Sequence, residues 1–267
     1  MSGAVLPSGR ADSTAFRATT LARVVSLAVF VYVIYALLQL NFSWPRFVSG
    51  LDQGAHLLAR MFPPDLGKGD ILWRGIVESM QMAVLASVLG IVISLPLGLL
   101  AARNLMPQPV TWVARAVVAA CRSLHPVIVA IFFVKAVGFG AMAGILALTV
   151  ASIGFIGKLF AEAIEEISSK QVEAVRATGA SFANVILFGV LPQVLSRFVG
   201  FSTYQLDSNL RNSTMVGIVG AGGIGGVLFS AFQRFDYSFV FTILATIVII
   251  IVFGELLANN VKKVFHV

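Results

Sequence analysis

The chain has 267 residues, of which 58% are hydrophobic and 12% charged, and its mean hydropathy is +0.93. A soluble domain usually has about 25% charged residues, so this chain has too little polar surface to be water-soluble and needs lipid as its solvent. The net charge of +7 does not indicate nucleic-acid binding, because its lysines and arginines form no dense basic stripe and membrane proteins accumulate such residues in cytoplasmic loops.

The first 70 residues are predicted to form a tail, a membrane span and a polar segment. Residues 1–20 are small and polar, and we expect a cytoplasmic tail. The apolar run 21–41 is long enough to cross the hydrocarbon core and lacks a small-x-small cleavage site, so it is predicted to be a retained first transmembrane helix. Residues 42–70 are more polar and are expected outside the cytoplasm, with a short interfacial helix over 45–61.

Apolar runs recur through the remaining chain, 71–262. The residue before a proline avoids helical backbone angles, so His125-Pro126 is expected to separate an interfacial segment, 109–122, from the third span. Pro192 is expected to kink the fifth span. The predicted second to sixth spans are 72–101, 123–139, 142–166, 185–209 and 239–258. The fold is therefore predicted to be all-α, a polytopic membrane bundle of about six transmembrane helices.

The distribution of basic residues predicts the orientation of this bundle. Six spans place both termini on one side of the membrane. That side holds more lysine and arginine than the other, which favours cytoplasmic N- and C-termini.

The most charged stretch lies between the fourth and fifth spans, over 162–181. A short helix is predicted over Val172–Thr178, and Gly179 is placed to end it, because glycine accepts the left-handed conformation found at helix ends. A short, rigid helix between two spans suits docking into a groove on a cytoplasmic partner. A plain solvated loop with one helical turn is the alternative.

This stretch resembles the EAA loop of binding-protein-dependent ABC importer permeases, through Glu173-Ala174, Gly179 and the downstream Leu191-Pro192. Val175 stands where the family usually has a second alanine. The resemblance implies a coupling loop, about 168–182, that docks on the nucleotide-binding subunit, with Glu173 making polar contacts, Ala174 allowing close approach and Gly179 forming the turn. The residues it assigns to ATPase coupling are Glu173, Ala174, Val175, Arg176, Thr178, Gly179 and Ala180.

Further short motifs resemble the phosphonate-importer branch of these permeases. In chain order they are Phe62-Pro-Pro-Asp65, Cys121-Arg122, Val137-Gly-Phe-Gly140, Arg176-Ala-Thr-Gly-Ala180, Gly189-Val-Leu-Pro-Gln193 and Val219-Gly-Ala-Gly-Gly-Ile-Gly225. The resemblance implies a type I ABC importer fold, with 71–262 as the core permease domain. It also implies an inner-membrane subunit that translocates a phosphonate, or a related phosphorus oxyanion, by alternating access.

The partners that this resemblance implies are a second copy of the chain, an ABC ATPase dimer that binds ATP and Mg²⁺, and an extracytoplasmic solute-binding protein, all assembled in lipid. The sequence shows no nucleotide-binding loop and no Cys/His metal spacing, so we expect no cofactor in this chain and no catalysis by it. A glycine motif over 220–225 fits G-x-G-x-x-G but lies among membrane spans, where close helix packing and pathway lining are the two interpretations.

The most polar cluster within the membrane region follows Asp207, which is spaced to pair with Arg211 one helical turn later. Our hypothesis is that this cluster and the following glycines line the translocation pathway, with Arg211 helping to tolerate an anionic solute. Helix capping and a structural ion pair are the alternatives. The candidate pathway residues are Asn209, Arg211, Asn212, Ser213, Thr214, Gly220, Gly222 and Gly223.

Two other functions stay open at this point. One is a permease of the same superfamily for another small solute, such as methionine. The other is a membrane-integral protein that has no ATPase partner, which co-purification would test.

Overall fold

The computed structural model describes residues 20–40 and 43–264, with side chains to residue 260, so the predicted tail lies outside the described residues. All regular elements within those ranges are helices. They are α1 (Thr20–Gln39), α2 (Trp44–Arg60), α3 (Gly69–Ala101), α4 (Gln108–Ser123), α5 (Pro126–Val137), α6 (Ala141–Glu165), α7 (Ser169–Ala177), α8 (Phe182–Asn184), α9 (Leu191–Val216), α10 (Gly223–Gln233) and α11 (Tyr237–Val264), with π-helical turns at Val185–Val190 and Gly217–Ala221. The all-α prediction is confirmed.

The chain divides into two compact units, one up to His56 and the other from Leu57. In the first unit, α1 is a 20-residue helix with no buried residue, apolar on all sides as a lipid-facing span requires. The short helix predicted over 45–61 is present as α2, and it is amphipathic.

Five helical segments of the described chain are long and apolar enough to cross a membrane, and the count rises to six if the bent pair α4–α5 forms one span. The predicted first, second, fourth and sixth spans correspond to α1, α3, α6 and α11 within a few residues. These agreements reflect the strength of the hydropathy signal in runs of about 20 residues.

The third span is shorter in the structure than the predicted 123–139. The break falls at His125-Pro126 as predicted, because His125 has an extended conformation and Pro126 begins a new helix. Helices α4 and α5 meet at 89°, and α5 has 12 residues, about 18 Å, which is too short to cross the hydrocarbon core alone.

The fifth span is longer in the structure than the predicted 185–209. Helical structure runs from Phe182 to Ala221, and it changes from π to α geometry next to Pro192. The polar residues 209–214 therefore lie inside α9 and not in a segment after it.

Helix α10 was not predicted, because the six glycines within 217–226 indicated a break in helical structure. Gly220, Gly222 and Gly223 all have positive φ and form a tight turn, after which α10 begins. A Cβ at Gly217 or Gly225 would also clash with the facing backbone, so both turn formation and close packing require glycine here.

Helices α3, α6 and α9 form the centre of the second unit. The buried face of α3 is mostly glycine, alanine and serine, and Gly90 shows why: a Cβ there would lie 2.3 Å from the Ser152 Cβ of α6. Small residues allow membrane helices to approach closely and gain dispersion contacts.

Candidate functional site

The first candidate region is α7, at one end of the bundle. Its apolar face packs inward: Val172 is 7% exposed and, with Val175, contacts a cluster formed by the π-helical turn and the start of α9. Gly179 follows with a φ of +78°, so the chain turns back as predicted. The charged face of α7 is free to meet another protein, since Glu173, Ala174 and Arg176 are exposed.

The other residues that were predicted to couple to an ATPase lie in this turn. The Thr178 hydroxyl donates a hydrogen bond to the Val175 carbonyl at 2.7 Å. Ala180 is half-buried against the same apolar cluster, and the Ser181 hydroxyl accepts a bond from the Asn184 N–H at 3.5 Å. Together they give α7 a defined entry into α8.

The connection between α6 and α7 contacts the α3–α4 connection, α4 and α9. Glu165 accepts hydrogen bonds from the Arg103 N–H (2.7 Å) and from Arg115 Nη2 (2.6 Å). Asn104 donates to the Ile164 carbonyl at 2.7 Å. These contacts tie the end of α6 to the α3–α4 connection and to α4.

A second set of contacts ties the same connection to α9. The Ser168 N–H donates to Gln193 Oε1 at 3.1 Å, and Gln193 Nε2 donates to the Gly189 carbonyl at 2.5 Å. Arg197 forms an ion pair with Glu166. Sequence reasoning placed Gln193 in a motif but found neither of these long-range pairings, because Ser168–Gln193 and Glu166–Arg197 join positions 25 and 31 residues apart.

Asn209 lies in a buried polar network at the centre of the bundle. Its Nδ2 donates to the hydroxyls of Ser87 (2.9 Å) and Ser152 (2.8 Å), and its Oδ1 accepts a bond from Gln205 Nε2 at 3.0 Å. Gln205 also donates to Ser152 at 2.9 Å. The network joins α3, α6 and α9, and Asn209 is 0% exposed. Polar residues within apolar runs were the sequence signal for this network.

The other polar pathway candidates have separate environments. The predicted ion pair is present, with Arg211 Nη2 2.9 Å from Asp207 Oδ2, and 56% of the Arg211 side chain is exposed. Asn212 donates to the Ser208 hydroxyl at 3.3 Å, and the buried Ser213 hydroxyl donates to the Leu210 carbonyl at 2.7 Å. Thr214 is half-buried.

The second candidate region is a cavity of about 870 Å³ at the opposite end of α6 from α7. The glycine turn forms one wall, so Gly220, Gly222 and Gly223 line it, whereas residues 209–214 do not. Its charged lining residues are Lys68, Glu78, Arg234 and Asp236. Three predicted pathway residues therefore meet at a cavity, and the five polar ones lie elsewhere.

Helix α3 holds the glycine turn in place. Glu78 Oε2 accepts a hydrogen bond from the Gly223 N–H, and the Ser79 hydroxyl accepts one from the Ile224 N–H, both at 2.9 Å. These bonds satisfy the first two N–H groups of α10, which have no intrahelical acceptor. A negative carboxylate at this helix N-terminus is also favoured by the helix dipole.

An ionic cluster lies at the rim of the cavity, where Lys68 pairs with Asp236 and with Asp65. The hydrogen bond from the Gly67 N–H and the one from Lys68 hold the pKa of Asp65 below its ordinary value. The bonds to Asp236 and Asp65 raise the pKa of Lys68. Both shifts favour the charged forms.

The described residues contain no group of three or more His, Cys, Asp and Glu side chains that would hold a metal ion.

A profile of binding-protein-dependent transport system inner membrane components matches residues 94–266. The phosphate-import permease protein PhnE of Mycolicibacterium smegmatis is 41% identical over 81% of this chain, which spans 41% of that protein. The phosphite transport system permease protein PtxC of Stutzerimonas stutzeri is 38% identical, over 82% of this chain and 80% of the relative.

Among solved structures, a chain of the MetNI methionine ABC transporter in an inward-facing conformation is similar, with a TM-score of 0.66 and 26% identity. The match covers 75% of this chain and 99% of that one. The shared fold therefore includes nearly the whole of that subunit.

Proposed function

This chain belongs to the binding-protein-dependent transport system inner membrane component family, and we propose that within it the chain carries phosphonate or a related phosphorus oxyanion into the cell. It is a transport subunit of the inner membrane and not an enzyme. The observation that most supports the solute is the 38% identity to a phosphite permease over four fifths of both chains. D-Methionine permeases are less similar, with 28% identity for that of Vibrio cholerae.

Coupling to ATP is assigned to α7. Its inward face is fixed by Val172 and Val175, while Glu173, Ala174 and Arg176 remain exposed. An ATPase dimer that binds ATP and Mg²⁺ would dock on this exposed face. Because α7 is anchored, closure of that dimer moves the bundle, which then alternates between its two open states.

Contact with a cytoplasmic ATPase sets the orientation of the chain. The α7 end is then cytoplasmic and the cavity faces the extracytoplasmic side, where a solute-binding protein docks. This orientation agrees with the basic-residue bias that favours cytoplasmic termini. The glycine-lined cavity is the entrance of the pathway.

Arg211 and Asp207 mark the middle of the pathway. Their neighbour Asn209 bonds Ser87 and Ser152, which lie near the midpoints of α3 and α6, so this level is deep in the membrane. A charged side chain there costs about 3 kcal/mol or more if it faces lipid. Asp207 Oδ1 is also buried without a hydrogen-bond partner in the described chain. We infer that a water-filled pathway between two copies of the chain covers this face of α9.

The test is uptake by proteoliposomes that contain the chain, its ATPase and its binding protein. Phosphonate, phosphite, phosphate and methionine are supplied separately, with ATP inside. Uptake of a phosphorus oxyanion supports the proposal, and uptake of methionine alone contradicts it. If no ATPase subunit co-purifies with the chain, the importer assignment itself fails.

A further inference from the structure

The strongest unassigned feature is the cluster of side chains around the connection between α6 and α7. We define the α6–α7 clasp as Asn104, Arg115, Gln193 and Arg197 together with the segment that they hold, residues 164–168. We propose that the clasp makes α7 a rigid extension of the bundle, and that Glu165 and Gln193 are positioning residues for energy coupling. The proposal rests on the function proposed above.

The first step of the argument is geometric. A coupling helix transmits force only if its attachment to the bundle resists bending. The attachment here is three residues long, since Glu166 to Ser168 lie outside both helices. The N–H groups of Glu166 and Ile167 bond back to carbonyls of α6. Further stiffness comes from the packing of Val172 and Val175 and from the contacts that residues 164–168 make with other elements.

The second step is that these contacts come from two separate parts of the bundle. Glu165 and the Ile164 carbonyl are held by the α3–α4 connection and α4, at 2.6–2.7 Å. Glu166 and the Ser168 N–H are held by α9. A force applied to α7 is therefore transmitted to α4 and α9 together, and the connection does not bend.

The third step concerns the weight of each contact. The Arg197–Glu166 pair is more than half exposed, so water screens it and it contributes little. The Arg115–Glu165 pair is about 70% buried, and Arg115 Nε also donates to the Ala101 carbonyl at 2.9 Å. Gln193 bridges Ser168 to Gly189. Glu165 and Gln193 are thus the two positions whose loss should loosen the clasp most.

The fourth step connects the clasp to the cavity. Helix α5 follows α4 after the 89° bend at His125-Pro126, and Val134 of α5 packs in the same apolar cluster as Ala221 of the glycine turn. Just beyond α5, the Gly140 N–H donates to the Gly220 carbonyl at 3.0 Å. Helices α4 and α5 both pack on α6, so movement that Arg115 passes to α4 can reach the glycine turn through α6 and α5.

The test compares Glu165→Gln and Gln193→Met with Glu162→Gln in the complete transporter. Glu162→Gln is the matched control, because Glu162 lies one turn earlier on α6 and its ion pair among the described residues is with Lys158 of the same helix, at 3.3 Å. Uptake and ATP hydrolysis are measured in the same proteoliposomes, with whichever solute the wild type transports. We expect both clasp variants to lower the uptake per ATP hydrolysed by about fivefold or more, and the control to keep the wild-type ratio.

A second measurement does not depend on transport. Hydrogen exchange of the permease in detergent reports the amides of residues 166–170, including the Ser168 N–H. We expect faster exchange in both clasp variants and no change in the control.

The outcomes separate the two proposals. An unchanged ratio of uptake to hydrolysis in folded clasp variants overturns the clasp, as does a parallel fall in both rates, which indicates a merely structural role. A wild type that transports only methionine contradicts the proposed solute and leaves the clasp to be judged on the methionine ratio.

Discussion

Replacing Gly179 tests the coupling helix through backbone conformation alone. Gly179 has a φ of +78°, and a Cβ at this position would meet no atom within 4 Å. The cost of a substitution therefore comes from the left-handed conformation and not from a clash. That cost is about 1–2 kcal/mol for an ordinary side chain and up to about 3 kcal/mol for a strained site. Asparagine tolerates this conformation far better.

These magnitudes predict an order of activities. Gly179→Val should lower the population of the native turn by about 10–100-fold, since 1.4 kcal/mol is a factor of ten. Because α7 then no longer meets the ATPase in one fixed geometry, we expect uptake to be abolished while membrane insertion stays normal. Gly179→Asn should keep most of the uptake.

The assay is solute uptake by proteoliposomes at equal amounts of inserted permease. Gly54→Val is the control, because a Cβ at Gly54 also meets nothing within 4 Å but its φ is not positive. Normal uptake by Gly179→Val, or equal losses in the valine and asparagine variants, would refute the reasoning.

Three further predictions follow from the polar residues. Asn209→Ala removes three buried hydrogen bonds, each worth about 0.6 kcal/mol in a membrane, so thermal unfolding in detergent should show a loss of about 2 kcal/mol in stability. Asn212→Ala is the control, because it loses one bond within its own helix and should be near wild type in stability. Equal stabilities of the two variants would contradict the network. Arg211→Ala should reduce uptake of the phosphorus oxyanion with ATPase binding intact, and unchanged uptake would exclude a pathway role. The pKa of Asp65 is lowered in the folded protein, so the stability that its charge contributes is present above its ordinary pKa, near 4, and is lost as the pH falls through the folded value. The unfolding midpoints of wild type and Asp65→Asn should therefore converge in acid. A constant difference between the two midpoints would contradict the contribution of this charge.

The prediction of α7 succeeded for a local reason. The predicted helix, Val172–Thr178, ends within one residue of the observed Ser169–Ala177 but begins three residues late. Its end depends on neighbouring residues, because Val172 and Val175 form one face and Gly179 supplies the left-handed conformation that follows it. Local chemistry of this kind is readable from a single stretch of chain.

The prediction of the polar cluster failed to separate its members, because neighbours on one helix point in different directions. Asn209 and Arg211 are two residues apart, which turns their side chains by about 200° on a helix. One is fully buried in a network with α3 and α6, and the other is exposed. Only the packing of α3, α6 and α9 decides which face of α9 is buried and which is exposed.

The sequence by itself determined that this is an all-α membrane protein, where most of its spans lie and where α7 ends. These features follow from the need of each span to satisfy its own backbone in lipid, and from the conformational freedom of glycine at one turn. The tertiary structure alone decided the start of α10, the depth of Asn209 and the α6–α7 clasp. Each depends on partners distant in sequence, such as Glu78 for Gly223 and Arg115 for Glu165, and a contact of that kind exists only once the helices have packed.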